Sequence, residues 1–104
     1  MDLTFALDEL LATGWSCLDS AGCTYGPDGR AFPTVGRVQQ EFAAAGFELS
    51  LTKVAKFDCF RAEWRETGAA GLHSDSVVSR SETDAAVYAL AQFRRSQAAT
   101  LVGV

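Results

Sequence analysis

No stretch of this 104-residue chain approaches the ~20 consecutive apolar residues that a membrane-spanning helix needs. Functions that require crossing a bilayer are therefore set aside. Basic residues are also scarce. Nine Lys and Arg stand against thirteen Asp and Glu, for a net charge of −4 and a pI near 4.8. Nucleic-acid binding rests on clustered cations that displace counterions from phosphate. The acidic balance argues against DNA or RNA as a partner, and equally against an anionic membrane surface. Histidine occurs once and cysteine three times. An odd cysteine count does not read as a disulfide framework. The opening "MDLTFALDELLATG" lacks the basic start and the continuous apolar run of a secretion signal. These features lead to the expectation of a reducing, cytoplasmic location.

The composition is that of a folded domain: 48% apolar and 21% charged residues. A chain of this length buries roughly two thirds of its unfolded surface without staples. No internal repeat, low-complexity run or domain boundary interrupts it, so residues 1–104 read as one domain.

Periodicity supplies the elements. Leu3, Ala6, Leu7, Leu10 and Leu11 share one helical face over about 3–13, with Gly14 as the stop. Trp15 to Leu18 reads as a short strand. Cys23-Thr24-Tyr25 and Arg30-Ala31-Phe32 flank "GPDG", in which Pro27 suits the second position of a type I turn, so the segment predicts a hairpin. Val35, Val38, Phe42 and Ala45 recur at helical spacing over about 34–45, ended by Gly46.

"FELSLT" and "FDCFRAEWRE" alternate apolar and polar residues strictly, as half-buried strands do. A tight turn at Ala55-Lys56 would set Phe47 opposite Trp64, Leu49 opposite Ala62 and Leu51 opposite Phe60. "LHSDSVVS" reads as a third strand. "SETDAAVYALAQFRRSQ" is the strongest helix, with Ser81 and Asp84 as a capping box, Arg94 and Arg95 set against its negative end, and Ala86, Ala89, Leu90 and Phe93 on its inner face. The tail at 98–104 is expected to be either flexible or strand-forming.

The expected fold is α+β, in the order α-(ββ)-α-β-β-β-α. A single layer of mainly antiparallel sheet, three central strands plus an N-terminal hairpin, carries three helices packed largely on one face. The helix–three strands–helix order from residue 34 is similar to that of double-stranded-RNA-binding modules. Those modules set lysines at the start of the last helix to grip phosphate. Here that position reads "SETDAA", which is acidic, and RNA binding is excluded on that ground.

Residue types and their spacing give no catalytic constellation. Cys17 and Cys23 have five residues between them, outside the two to four usual for a zinc knuckle, and no second pair follows. Cys17, Cys23 and Cys59 are thus weak metal or thiol candidates, and no metal or other cofactor is expected. A Cys59–His73 dyad is disfavoured, because the two would stand about seven residues apart along neighbouring strands, roughly 20 Å. His73, Ser74, Asp75 and Ser76 are adjacent in one strand and alternate between faces, so they cannot form a relay. No phosphate-loop or nucleophile-elbow motif is present.

The chain therefore points away from an enzyme and toward a protein-interaction or regulatory module, with a protein partner or self-association. Its candidate surfaces are the polar sheet face at Arg61, Glu63 and Arg65 and the apolar tail at Leu101 and Val102, a segment suited to strand addition. The alternatives are a small-molecule binder or small enzyme using a sheet–helix groove near Trp15, Tyr25, Asp28, Arg30 and His73, and a thiol or zinc protein using the three cysteines.

Overall fold

The structure, a computed structural model, describes residues 3–15, 22–26, 29–67 and 74–102, with the side chains of the last helix described as far as Gln97. Among these residues the order is α1 (Leu3–Ala12), β1 (Cys23–Tyr25), β2 (Ala31–Pro33), α2 (Val35–Ala44), β3 (Phe47–Val54), β4 (Cys59–Glu66), β5 (Ser74–Ser79) and α3 (Glu82–Val102). This is the α+β order expected. The strands form two antiparallel sheets, a hairpin β1-β2 and a three-stranded sheet β3-β4-β5. None of the described helices is long and apolar enough to cross a membrane.

Local chemistry fixes the boundaries. Thr34 caps α2, its hydroxyl accepting from the Arg37 N–H at 3.2 Å, a contact worth about 1 kcal/mol. Ser81 does the same for α3, accepting from the Asp84 N–H at 3.1 Å. The hairpin is tied to α2 by Thr34, whose N–H and hydroxyl both donate to the Gly22 carbonyl, at 2.8 and 2.9 Å. Gly22 has φ +69°, and a Cβ there would stand 2.8 Å from the Arg37 Cβ, so only glycine fits. The Gly26 carbonyl accepts from the Gly29 N–H at 3.0 Å, closing the hairpin turn. Pro27 and Asp28, on which the expected turn type rests, lie outside the described residues, as does all but Trp15 of the strand expected at 15–18.

The β3-β4 ladder keeps the expected faces but shifts the partners. Leu49 pairs with Trp64, Leu51 with Ala62 and Lys53 with Phe60, a register displaced by two residues. The cause is the connection. Ala55–Phe57 form a 3₁₀ turn, and Asp58 follows in the left-handed region at φ 50°, ψ 49°. A four-residue link, longer than the tight turn expected, moves every pair along by two. An even shift leaves each side chain on its original face.

On the helix-facing side lie Leu49, Leu51, Phe60, Ala62, Trp64 and Val77. Against them pack Val38 and Phe42 of α2 and Leu90 and Phe93 of α3. Phe42 sits at the junction, its ring 5.7 Å from Trp64 and 4.7 Å from Phe93, centroid to centroid. Phe47 meets Phe93 edge-on at 4.8 Å.

The central stretch of α3 is buried on more than the one face expected. Ala85, Val87 and Ala91 are buried together with Ala86, Ala89 and Leu90, because α1 packs on α3 as well. A helix covered on several sides is apolar around its circumference, and small alanines let its neighbours approach closely.

Two further expectations are corrected. The segment from 98, expected to be flexible or strand-forming, is helical as far as Val102. Arg94 and Arg95 therefore stand within α3 and not at its end. Phe42→Ala is expected to cost about 3–5 kcal/mol of stability, read as a fall in the urea midpoint. Leu11→Ala, at an exposed site, should change it by less than about 0.5 kcal/mol.

Candidate functional site

Of the residues expected to frame a ligand site, Trp15, Tyr25 and Arg30 are described, and their side chains have different surroundings. Trp15 is buried at 5% exposure, and its indole N–H donates to Glu41 Oε2 at 2.8 Å. The same oxygen accepts from Arg37 Nε at 3.1 Å. Trp15 is thus a core residue whose one polar atom is satisfied. Tyr25 lies on β1 at 73% exposure. Arg30 turns to α1, pairing with Asp8 at 2.6 Å. Asp28 and His73 lie outside the described residues.

The two described cysteines differ in state. Cys23 is disulfide-bonded, against the expectation drawn from the odd cysteine count, and this removes it as a thiolate ligand. Cys59 is a free, half-buried thiol, paired with Val54 at the turn end of β4. Cys17 lies outside the described residues. Among the described residues, no three His, Cys, Asp or Glu side chains form a metal-holding group.

The arginines of α3 do work that the sequence reading missed. Arg94 Nε donates to the Thr13 hydroxyl at 2.8 Å, and its Nη2 to the Thr13 carbonyl at 3.4 Å. The cation therefore caps the C-terminal end of α1, where backbone carbonyls lack helical partners. Arg95 pairs with Glu9 one turn back along α1. The signal available in the sequence was the pair of adjacent arginines inside an otherwise apolar helix; the distant partner was not legible.

The sheet face away from the helices is open. It presents Glu48, Ser50 and Thr52 from β3, Arg61, Glu63 and Arg65 from β4, and Ser74, Ser76 and Val78 from β5. Glu63 stands between its two neighbours, one oxygen 3.4 Å from Arg61 and the other 3.6 Å from Arg65. The two arginines of this candidate interaction surface thus face an acidic group on their own strand. Exposed pairs of this kind contribute about 0–1 kcal/mol.

Each outer strand of this sheet is paired on one side only among the described residues. The two edges differ. β3 carries Glu48 and Lys53, charges that blunt an edge against further pairing. β5 reads Ser74-Asp75-Ser76-Val77-Val78-Ser79, with no Lys and no Pro. Its ladder with β4 runs without a break from Phe60↔Ser79 to Arg65↔Ser74. Val78 is 52% exposed. Asp75 is the strand's single charge.

No protein-family model matches the chain, and neither a curated protein nor a solved structure matches it significantly.

Arg94→Ala is expected to destabilise by about 1.5–3 kcal/mol through loss of charged hydrogen bonds. Hydrogen exchange should then quicken at amides 10–14 while the β3-β4 ladder stays protected. Arg95→Ala, which removes a more exposed ion pair, should cost less than about 1 kcal/mol.

Proposed function

We propose that the chain is a small protein-interaction module that self-associates by pairing the free edge of β5 with the same edge of a second copy. The observation that carries this reading is the character of that edge: a regular six-residue strand with a half-exposed valine, no Lys, no Pro and no bulge, and Asp75 as its one charge. Antiparallel pairing about a two-fold axis through Val77 joins like with like. Val77 meets Val77, and Val78 lies beside Ser76 of the second copy, so the face alternation continues across the seam. The result is a six-stranded sheet with all its helices on one side. Backbone hydrogen bonds supply affinity, and the two valines supply an apolar seam. The acidic net charge and the internally neutralised open face support a protein partner over a polyanion.

The strand donor in this reading is β5 and not the C-terminal tail, whose backbone is helical to Val102. The Cys23 disulfide favours an oxidising compartment over the reducing cytoplasm that the odd cysteine count suggested.

Sedimentation velocity across a concentration series tests the proposal. The wild-type chain should shift from monomer toward dimer as concentration rises. Val78→Lys should stay monomeric with an unchanged far-ultraviolet circular dichroism spectrum, while Tyr25→Lys, on the hairpin, should dimerise normally. A wild-type chain that is monomeric throughout, or a Val78→Lys variant that dimerises as well as wild type, contradicts the reading.

A further inference from the structure

A second feature lies away from the sheet edge and is independent of it. A groove of about 320 Å³ runs between the C-terminal ends of α1 and α2 and the flank of α3. That volume is at the lower end of the range for small-molecule sites, ~300–1,000 Å³. Its floor is apolar, formed by Leu90 and Phe93, both buried. Its walls carry opposite charges, Glu41 from α2 and Arg94 from α3, and Ala45 and Gln97 stand exposed at its rim.

Glu41 and Arg94 line one groove but form no ion pair with each other; each is held by other neighbours. Glu41 Oε2 accepts from both Trp15 and Arg37, which leaves Oε1 without a hydrogen bond among the described residues. Arg94 uses Nε and Nη2 on Thr13, which leaves Nη1 without one. The two charges are therefore fixed apart, each with one atom to spare. Side chains anchored in this way lose little further freedom on binding. Ala45 ends α2, so the carbonyls of that helix terminus add negative partial charge on the Glu41 side of the groove.

We propose that this groove binds a small zwitterion with an apolar body, of the class of a free aliphatic or aromatic α-amino acid. Its ammonium sits against Glu41 Oε1 and the C-terminus of α2. Its carboxylate takes the free Nη1 of Arg94, a charge-assisted hydrogen bond. Its side chain lies on Leu90 and Phe93. The groove is open along its length, so the binding is weak and exchange is fast.

The test is an amide-shift titration of the full chain by nuclear magnetic resonance. The probes are L-phenylalanine and L-leucine, with N-acetyl-phenylalanine and phenylalaninamide, each of which lacks one of the two charges. The expected result is saturable shifts at Glu41, Ala45, Leu90, Phe93 and Arg94 with the free amino acids. Each singly charged probe should bind about tenfold more weakly or worse, because one of the two charge-assisted contacts is lost. Glu41→Gln should weaken the free amino acids similarly. Ala45→Trp, at an exposed rim position that tolerates bulk, should abolish the shifts, and it decides the matter if Glu41→Gln does not fold. No saturable shift at millimolar amino acid, equal binding of the N-acetyl derivative, or undiminished binding by Ala45→Trp overturns the proposal.

Discussion

The architecture depends on the exclusion of water from one side of the β3-β4 ribbon. Leu49, Ala62 and Trp64 are buried there beneath Phe42 and Phe93. An aromatic pair in this geometry adds about 0.5–1.5 kcal/mol beyond its buried area, and each large side chain contributes about 1.5–3 kcal/mol by leaving water. The ion pairs on the opposite face contribute at most about 1 kcal/mol each. The apolar side therefore decides which way the sheet faces, and the charged side follows as the wet surface.

From that constraint the helical layer follows. α2 and α3 cover the sheet, and α1 covers α3, so the middle of α3 is enclosed by protein on several sides. The polar links from α1 to its neighbours are made at the edges of this layer, where water still reaches: Arg94 and Arg95 of α3 on Thr13 and Glu9, and Arg30 of the hairpin on Asp8. They orient the helices, whereas burial supplies most of the stabilisation. The same arrangement leaves two features uncovered. One is the β5 edge, which the helical layer does not pair. The other is the groove where three helices meet without filling the space between them.

What was legible in the sequence was whatever has a period or a local mechanism. The alternation of Phe47 to Thr52 and of Phe60 to Arg65 placed both strands and both faces correctly. The stops at Gly14 and Gly46 and the cap at Ser81 placed the helices. The register was misread by two residues because the connection uses Asp58 in a left-handed conformation, and a two-residue slip leaves no trace in an alternating pattern. The length of α3 was underestimated because "AATLVGV" combines β-branched residues with helix-neutral ones, and propensity alone does not settle such a segment. Trp15 was read as a ligand-facing aromatic, since nothing in a sequence reveals that Glu41, twenty-six residues away, satisfies its N–H. Arg94 was assigned to the wrong helix end for the same reason: its partner is distant in the chain. The disulfide at Cys23 was hidden by an odd count, which one free thiol at Cys59 explains.

The account stands on the pairing of β3 with β4 and on the dryness of one side of that pair. Nuclear Overhauser contacts between backbone protons across the two strands measure it most directly. The account predicts contacts joining Leu49 to Trp64 and Leu51 to Ala62, with side-chain contacts from Trp64 to the Phe42 ring. Contacts joining Leu49 to Ala62 and Leu51 to Phe60, or a Trp64 indole lying against solvent and remote from Phe42, would contradict it.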